Sequence, residues 1–133
     1  MNTICKVGDI RIFSKLVSAD DLATFNKDNI HPFYATFAMG RDVEWACRQF
    51  VLEMKDEDEE GIGTFLNIVH KSPAFQGESI EIRATLMKLH GNDVHCAYCV
   101  FVGERLIAEG SQGQKILKKE KIQRLIHQLH GHG

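Results

Sequence analysis

The sequence is short of most features that mark a specialised chain. Two prolines in 133 residues are too few for a proline-rich linker or a biased tract. No apolar run approaches the roughly 18 residues that span a bilayer. The start, Met1-Asn2-Thr3-Ile4-Cys5-Lys6, has no apolar stretch of the kind that opens a secretory leader. A basic excess is also missing: 16 lysines and arginines stand against 18 acidic residues, a formal net charge of −2. That balance argues against a chain whose main work is gripping nucleic acid. What is there, 44% hydrophobic and 26% charged residues, suits one globular domain over residues 1–133. Four cysteines in a chain able to bury a core read as free thiols, and the expectation is a cytoplasmic protein with neither a membrane nor a nucleic-acid partner.

The strongest periodic signal is helical. Val43, Ala46, Cys47, Phe50, Val51 and Met54 recur at three- and four-residue steps, which predicts an amphipathic helix over residues 40–55. Asp42 near its start and Lys55 at its end suit the helix dipole. Trp45 and Leu52 fall on the opposite face, which predicts a second contact there, against a subunit or another part of the fold. The acidic run 56–60 reads as a solvated loop. Beyond it the period changes to two. Residues 64–70 are rich in β-formers and stop before Pro73. Residues 79–89 set Ile80, Ile82, Ala84 and Leu86 on one side and Glu81, Arg83 and Thr85 on the other. Strands over 94–102 and 106–117 follow, joined through short turns at Gly91-Asn92-Asp93 and Gly103-Glu104-Arg105. A weaker strand is expected over 10–16. The tail 119–133 carries Ile122, Leu125, Ile126 and Leu129, the spacing of a short amphipathic helix, and is expected to be a short helical or frayed tail. One long helix followed by an antiparallel meander is the order expected of an α+β hot-dog fold, an antiparallel sheet wrapped around one long central helix.

The stretch Phe33-Tyr34-Ala35-Thr36-Phe37-Ala38-Met39-Gly40, followed by Val43-Glu44-Trp45-Ala46-Cys47, and the later Gly61-Ile62-Gly63-Thr64 leading to Val69-His70, together resemble the fluoroacetyl-CoA thioesterase family of hot-dog proteins. The resemblance implies an acyl-CoA thioesterase that works without a cofactor or metal, as a homodimer with its active sites at the subunit interface. It implies a catalytic set of Thr36, Glu44 and His70, with Gly63 beside the acyl group. Two further positions of the family, an arginine that shapes the acyl pocket and a lid phenylalanine, fall on Gln114 and Ile30, and a histidine falls on Gln112. The substrate-binding candidates are therefore Gly63, Gln114 and Ile30. The resemblance implies hydrolysis of a small or medium acyl-CoA without implying fluoroacetyl selectivity.

The chemistry suits these residue types. Thioester hydrolysis needs a base for water or a direct nucleophile, and Glu44 serves as either. An imidazole at His70 both donates and accepts a proton. The Thr36 hydroxyl can position water, and backbone N–H groups at the helix start can hold the thioester oxygen. From pattern alone each has a plainer reading: Glu44 a helix-flank residue, His70 a surface histidine, Thr36 a capping residue. The alternative function is a non-hydrolytic acyl-CoA or small-ligand binding protein on the same fold. A hydratase is disfavoured because Asp42 is followed, five residues on, by Cys47 where those enzymes place a histidine.

Cys96 and Cys99 have C-x-x-C spacing but lie in a predicted strand, where residues three apart point to opposite faces. His127, His130 and His132 read as a solvated tail. Lys115, Lys118, Lys119 and Lys121 form either a solvated face or an attraction for the phosphates of coenzyme A.

Overall fold

A computed structural model describes residues 1–25 and 28–130, with side chains described outside 24–30. The chain runs β1 (Ile10–Leu16), a 3-10 turn (Ala19–Asp21), β2 (Leu22–Phe25), β3 (Asp28–Tyr34), α1 (Thr36–Met54), β4 (Glu59–Leu66), β5 (Val69–His70), β6 (Ser79–His90), β7 (Asp93–Val102), β8 (Arg105–Lys118) and α2 (Lys119–His130). The large sheet has the order β1-β6-β7-β8-β4, with β5 also on β8. Its pairs are antiparallel. β2 and β3 form a separate irregular hairpin. The sheet curls around α1, the arrangement that the element order predicts.

The helix stripe read from the sequence is the core. Val43, Ala46, Cys47, Phe50, Val51 and Met54 are all buried. They pack on the inward rows of β6 (Ile80, Ile82, Ala84, Leu86) and β7 (Val94, Cys96, Tyr98, Val100). Each large apolar side chain removed from water there contributes on the order of 1.5–3 kcal/mol before chain entropy is subtracted. The glycine turns at Gly91 and Gly103 have φ of 59° and 57°, left-handed values that glycine adopts without strain. They close the two hairpins that bring β6, β7 and β8 together.

Four expectations change. The single strand expected over 64–70 is two strands, β4 ending at Leu66 and β5 at Val69–His70. Helix α1 begins at Thr36, one turn before the predicted Gly40. Asp42 consequently lies inside the helix, where it accepts from the Tyr34 hydroxyl and pairs with Lys15 and Arg41, not at a helix end. The acidic run is not all loop: Glu59 and Glu60 open β4, Glu59 is buried 2.7 Å from the Met1 amino group, and Glu60 meets Arg48 at 2.7 Å. The hairpin of β2 and β3, whose register shifts at Leu22/Ala23 and Ala23/Thr24, is not predicted from the sequence. The tail does form a helix, as far as His130; His132 lies outside the described residues. Trp45 and Leu52 remain 47% and 38% exposed, so the described residues leave that face uncovered. Among the described residues, no helix is long and apolar enough to cross a membrane.

Candidate functional site

Thr36 opens α1, and the chain reaches it through a buried charge network. Asp21 accepts from the Ser18 backbone N–H at 2.9 Å, from Lys15 at 3.0 Å and from Arg41 at 2.8 Å. Its main-chain carbonyl takes the Ala35 N–H at 2.8 Å. Burial alone would raise the Asp21 carboxyl, but the Ser18 N–H, Arg41 and Lys15 outweigh it and hold the group well below the usual carboxylate range. Burial, and then the hydrogen bond to Asp42, push the Tyr34 phenol far upward. The result is a rigid entry to α1. Ala35, at the N-cap, has no side chain able to cap, so N–H groups of the first turn are free to meet a ligand.

His70 is delivered from the other side. After β4 the chain switches its position on β8: a bulge lies between Gly63 and Phe65, and Asn67 is clamped to Ser111 through Nδ2 to Oγ at 2.7 Å and the return N–H to Oδ1 at 2.9 Å. Strand β5 then pairs Val69 and His70 with Glu109 and Ala108. This places His70 Nε2 2.9 Å from Thr36 Oγ1. The pair borders a cavity of about 400 Å³ whose inner wall includes Met39, Ala74 and Ile107, with His31 and Phe33 at its mouth. The His31 and Phe33 rings are 4.9 Å apart, and Phe33 meets Phe75 edge-on at 5.2 Å.

Glu44 lies elsewhere. Eight residues of helix separate it from Thr36, a rise of about 12 Å. It borders a second concavity of about 280 Å³ with Arg41, Trp45, Arg48, Gly61, Gly63 and Gln114. Gln112 Nε2 donates to Glu44 Oε2 at 2.6 Å. Gly63 faces the carboxylate without a side chain. Gln114 is buried, donating to the Cys47 carbonyl at 3.3 Å and to Gln112 Oε1 at 3.3 Å. Within one chain, therefore, the structure joins Thr36 to His70 and joins Glu44 to Gly63 and Gln114, but does not bring the two groups into one cavity. The Ile30 side chain lies outside those described.

The remaining candidates separate by chemistry. Cys96 is buried and Cys99 half-buried on the opposite face of β7. The hydrogen bond with Cys96 and burial push the Cys47 thiol far up, and burial raises Cys5 and Cys99, so these three are poor nucleophiles. Among the described residues, no cluster of three or more His, Cys, Asp or Glu side chains is arranged to hold a metal ion. Lys118 pairs with Asp58 at 3.0 Å, and Lys115 lies 3.9 Å from Asp93. Sequence reasoning gave Gln112 no role of its own. The available signal was its parity with Gln114 on β8, between inward Ala108 and Ile116: two amides in an inward row must find buried partners.

The model of the family described as fluoroacetyl-CoA-specific thioesterase matches residues 17–120. A crystal structure from Thermus thermophilus, described as a thioesterase superfamily member, is 29% identical with a TM-score of 0.89, covering 96% of this chain and 94% of that one. A structure of the fluoroacetyl-CoA thioesterase FlK is 19% identical with a TM-score of 0.85, covering 93% of this chain and 96% of that one. A hot-dog-like protein from Thermanaerovibrio acidaminovorans is 18% identical with a TM-score of 0.85, covering 93% and 92%. These likenesses show the hot-dog fold. No curated protein matches the chain.

Proposed function

The chain belongs to the fluoroacetyl-CoA-specific thioesterase family, and on that premise we propose that it is an acyl-CoA thioesterase acting on a small or medium acyl group. The observation that carries this reading is the Thr36–His70 pair, 2.9 Å between Oγ1 and Nε2, beside a largely apolar cavity and the uncapped start of α1. That is a hydroxyl, a proton carrier and N–H donors around a space able to take an acyl chain.

Glu44 supplies the remaining function, and a second copy of the chain brings it within reach. Strand β4 ends the sheet with Ile62, Phe65 and Leu66 exposed, an edge that invites pairing. Trp45, beside Glu44, is uncovered on the same side of the molecule's second concavity. In the homodimer so formed, each site takes its carboxylate from one subunit and its Thr36–His70 pair from the other.

In the water route, the Glu44 carboxylate takes a proton as water attacks the thioester carbon. First-turn N–H groups hold the resulting oxyanion. Collapse breaks the C–S bond, the coenzyme A thiolate leaves and takes a proton through His70, and the acyl group departs as its acid. In the nucleophilic route, Glu44 attacks the same carbon, expels the thiolate and forms an anhydride that water then opens. Neither route draws on a cofactor. Gln112 and Gln114 put neutral amides where the resembling family carries a histidine and an arginine, so selectivity for fluoroacetyl-CoA over acetyl-CoA is not part of this proposal. Four free thiols suit a cytoplasmic setting.

The separation of Glu44 from Thr36 within one chain favours one second reading: a chain that stays monomeric binds acyl-CoA without turnover. A thiol-release assay over a panel of acyl-CoAs distinguishes the two. We expect release from at least one member and a drop of about 10³-fold in Glu44→Ala. Equal turnover by the two proteins would remove Glu44 from the mechanism, and saturable binding without release would establish the second reading.

A further inference from the structure

Between the Glu44 carboxylate and the backbone of α1 runs a chain of amides whose direction is fixed from one end. The Cys47 carbonyl can only accept, so Gln114 turns its NH2 group toward it, with Nε2 3.3 Å from the oxygen. The same nitrogen lies 3.3 Å from Gln112 Oε1. Gln112 therefore accepts with its carbonyl and points its own NH2 at Glu44, Nε2 to Oε2 at 2.6 Å. Gln112 is fully buried and Gln114 nearly so, where an amide turned the wrong way would set carbonyl against carboxylate and leave polar atoms unpaired. Among the described residues, no donor reaches Glu44 Oε1.

We propose that Gln112 is a positioning residue for Glu44: oriented by Gln114, and through it by the Cys47 carbonyl, its amide ties down Oε2 and leaves Oε1 to face the reacting carbonyl. The assignment rests on Glu44 acting in thioester hydrolysis. It adds a device that holds the carboxylate in place with a neutral donor, so that the charge is not cancelled by a cation. Burial makes the device stiff: Gln112 is clamped at both ends of its amide.

The test is steady-state thiol release with the full chain, on the acyl-CoA that the native protein turns over best. Gln112→Leu removes the donor at similar size and should lower kcat about 10–100-fold with KM within about threefold of native, the size expected when a reacting group loses its alignment. Gln112→His keeps a ring N–H and should recover most of that loss. Gln112→Glu donates only when protonated, so its kcat relative to native should rise as the pH is lowered. In a Glu44→Ala background, Gln112→Leu should cause no further loss. Native kcat in Gln112→Leu, a Gln112→Glu profile parallel to native, or an undiminished second loss in the Glu44→Ala background would overturn the proposal. Gln112→Glu, being isosteric, carries the test if the leucine variant does not fold. The amide chain also has a readout that needs no turnover. In 15N-labelled protein, the Gln112 side-chain NH2 signals should move in both Glu44→Ala and Gln114→Leu, and signals unmoved by either would overturn the chain even if the protein hydrolysed no thioester.

Discussion

Gly63 faces Glu44 across the second concavity: a Cβ built on Gly63 would lie 3.9 Å from Oε1 and 4.0 Å from Oε2 of the carboxylate. Those are ordinary contact distances, so the backbone tolerates a side chain and the fold does not need a glycine there. On the proposed mechanism, a methyl group would instead occupy the space that a reacting carbonyl needs beside Oε1. Gly63→Ala is therefore expected to keep native thermal stability while kcat/KM for thioester release falls by about 10–100-fold. A loss of stability with unchanged activity per folded molecule would show that the space is structural.

Gly110 and Gly113 behave differently, and they show how far the sequence could be read. A Cβ on Gly110 would fall 2.2 Å from the Asn67 carbonyl, and one on Gly113 2.2 Å from the Phe65 ring. Both glycines serve the bulge and strand switch that aim His70, a non-local requirement invisible in a strand pattern. The stripe from Val43 to Met54 was legible because a helix buries its own period, and the meander was legible because each hairpin is local. The start of α1 was not. Gly40 and Asp42 look like a helix beginning, yet Gly40 packs toward Leu66 and Ile68, and Asp42, besides its neighbour Arg41, takes partners from β1 and β3. Thr36 and His70, 34 residues apart, were joined only by resemblance to a family, since no spacing rule links them.

The Asp21 network makes stability depend on pH. Its carboxyl is held below the ordinary value, so it binds a proton less readily folded than unfolded. Its stabilising effect is therefore complete above the unfolded-state pKa of about 3.9 and is lost as the pH falls through that value toward the folded one. Asp21→Asn should destabilise the protein at pH 7 by about 1.5–3 kcal/mol, the loss of hydrogen bonds to a charged group. The difference from native should shrink as the pH is lowered from 5 to 3. Urea unfolding at pH 7, 5 and 3 measures both quantities. A difference that stayed constant with pH would mean that packing, not charge, is what Asp21 provides.

The proposed division of the site between two chains is open to a mixing experiment. Glu44→Ala and His70→Ala remove groups from different concavities, so each variant should be nearly inactive alone. If each site takes Glu44 from one subunit and His70 from the other, a dimer of one variant with the other holds one site that lost both groups and one that kept both. Random exchange of equal amounts makes about half of all dimers mixed, each with one intact site of two, and should restore about a quarter of native activity. If Glu44 and His70 act within the same chain, every site in the mixed dimer lacks one of them. Mixing would then restore nothing, however long the subunits exchange. The thiol-release rate after unfolding and refolding the two variants together separates these outcomes, with each variant refolded alone as the baseline. Recovered activity should also rise and fall with the fraction of mixed dimer, which a charge-tagged version of one variant makes countable on a native gel.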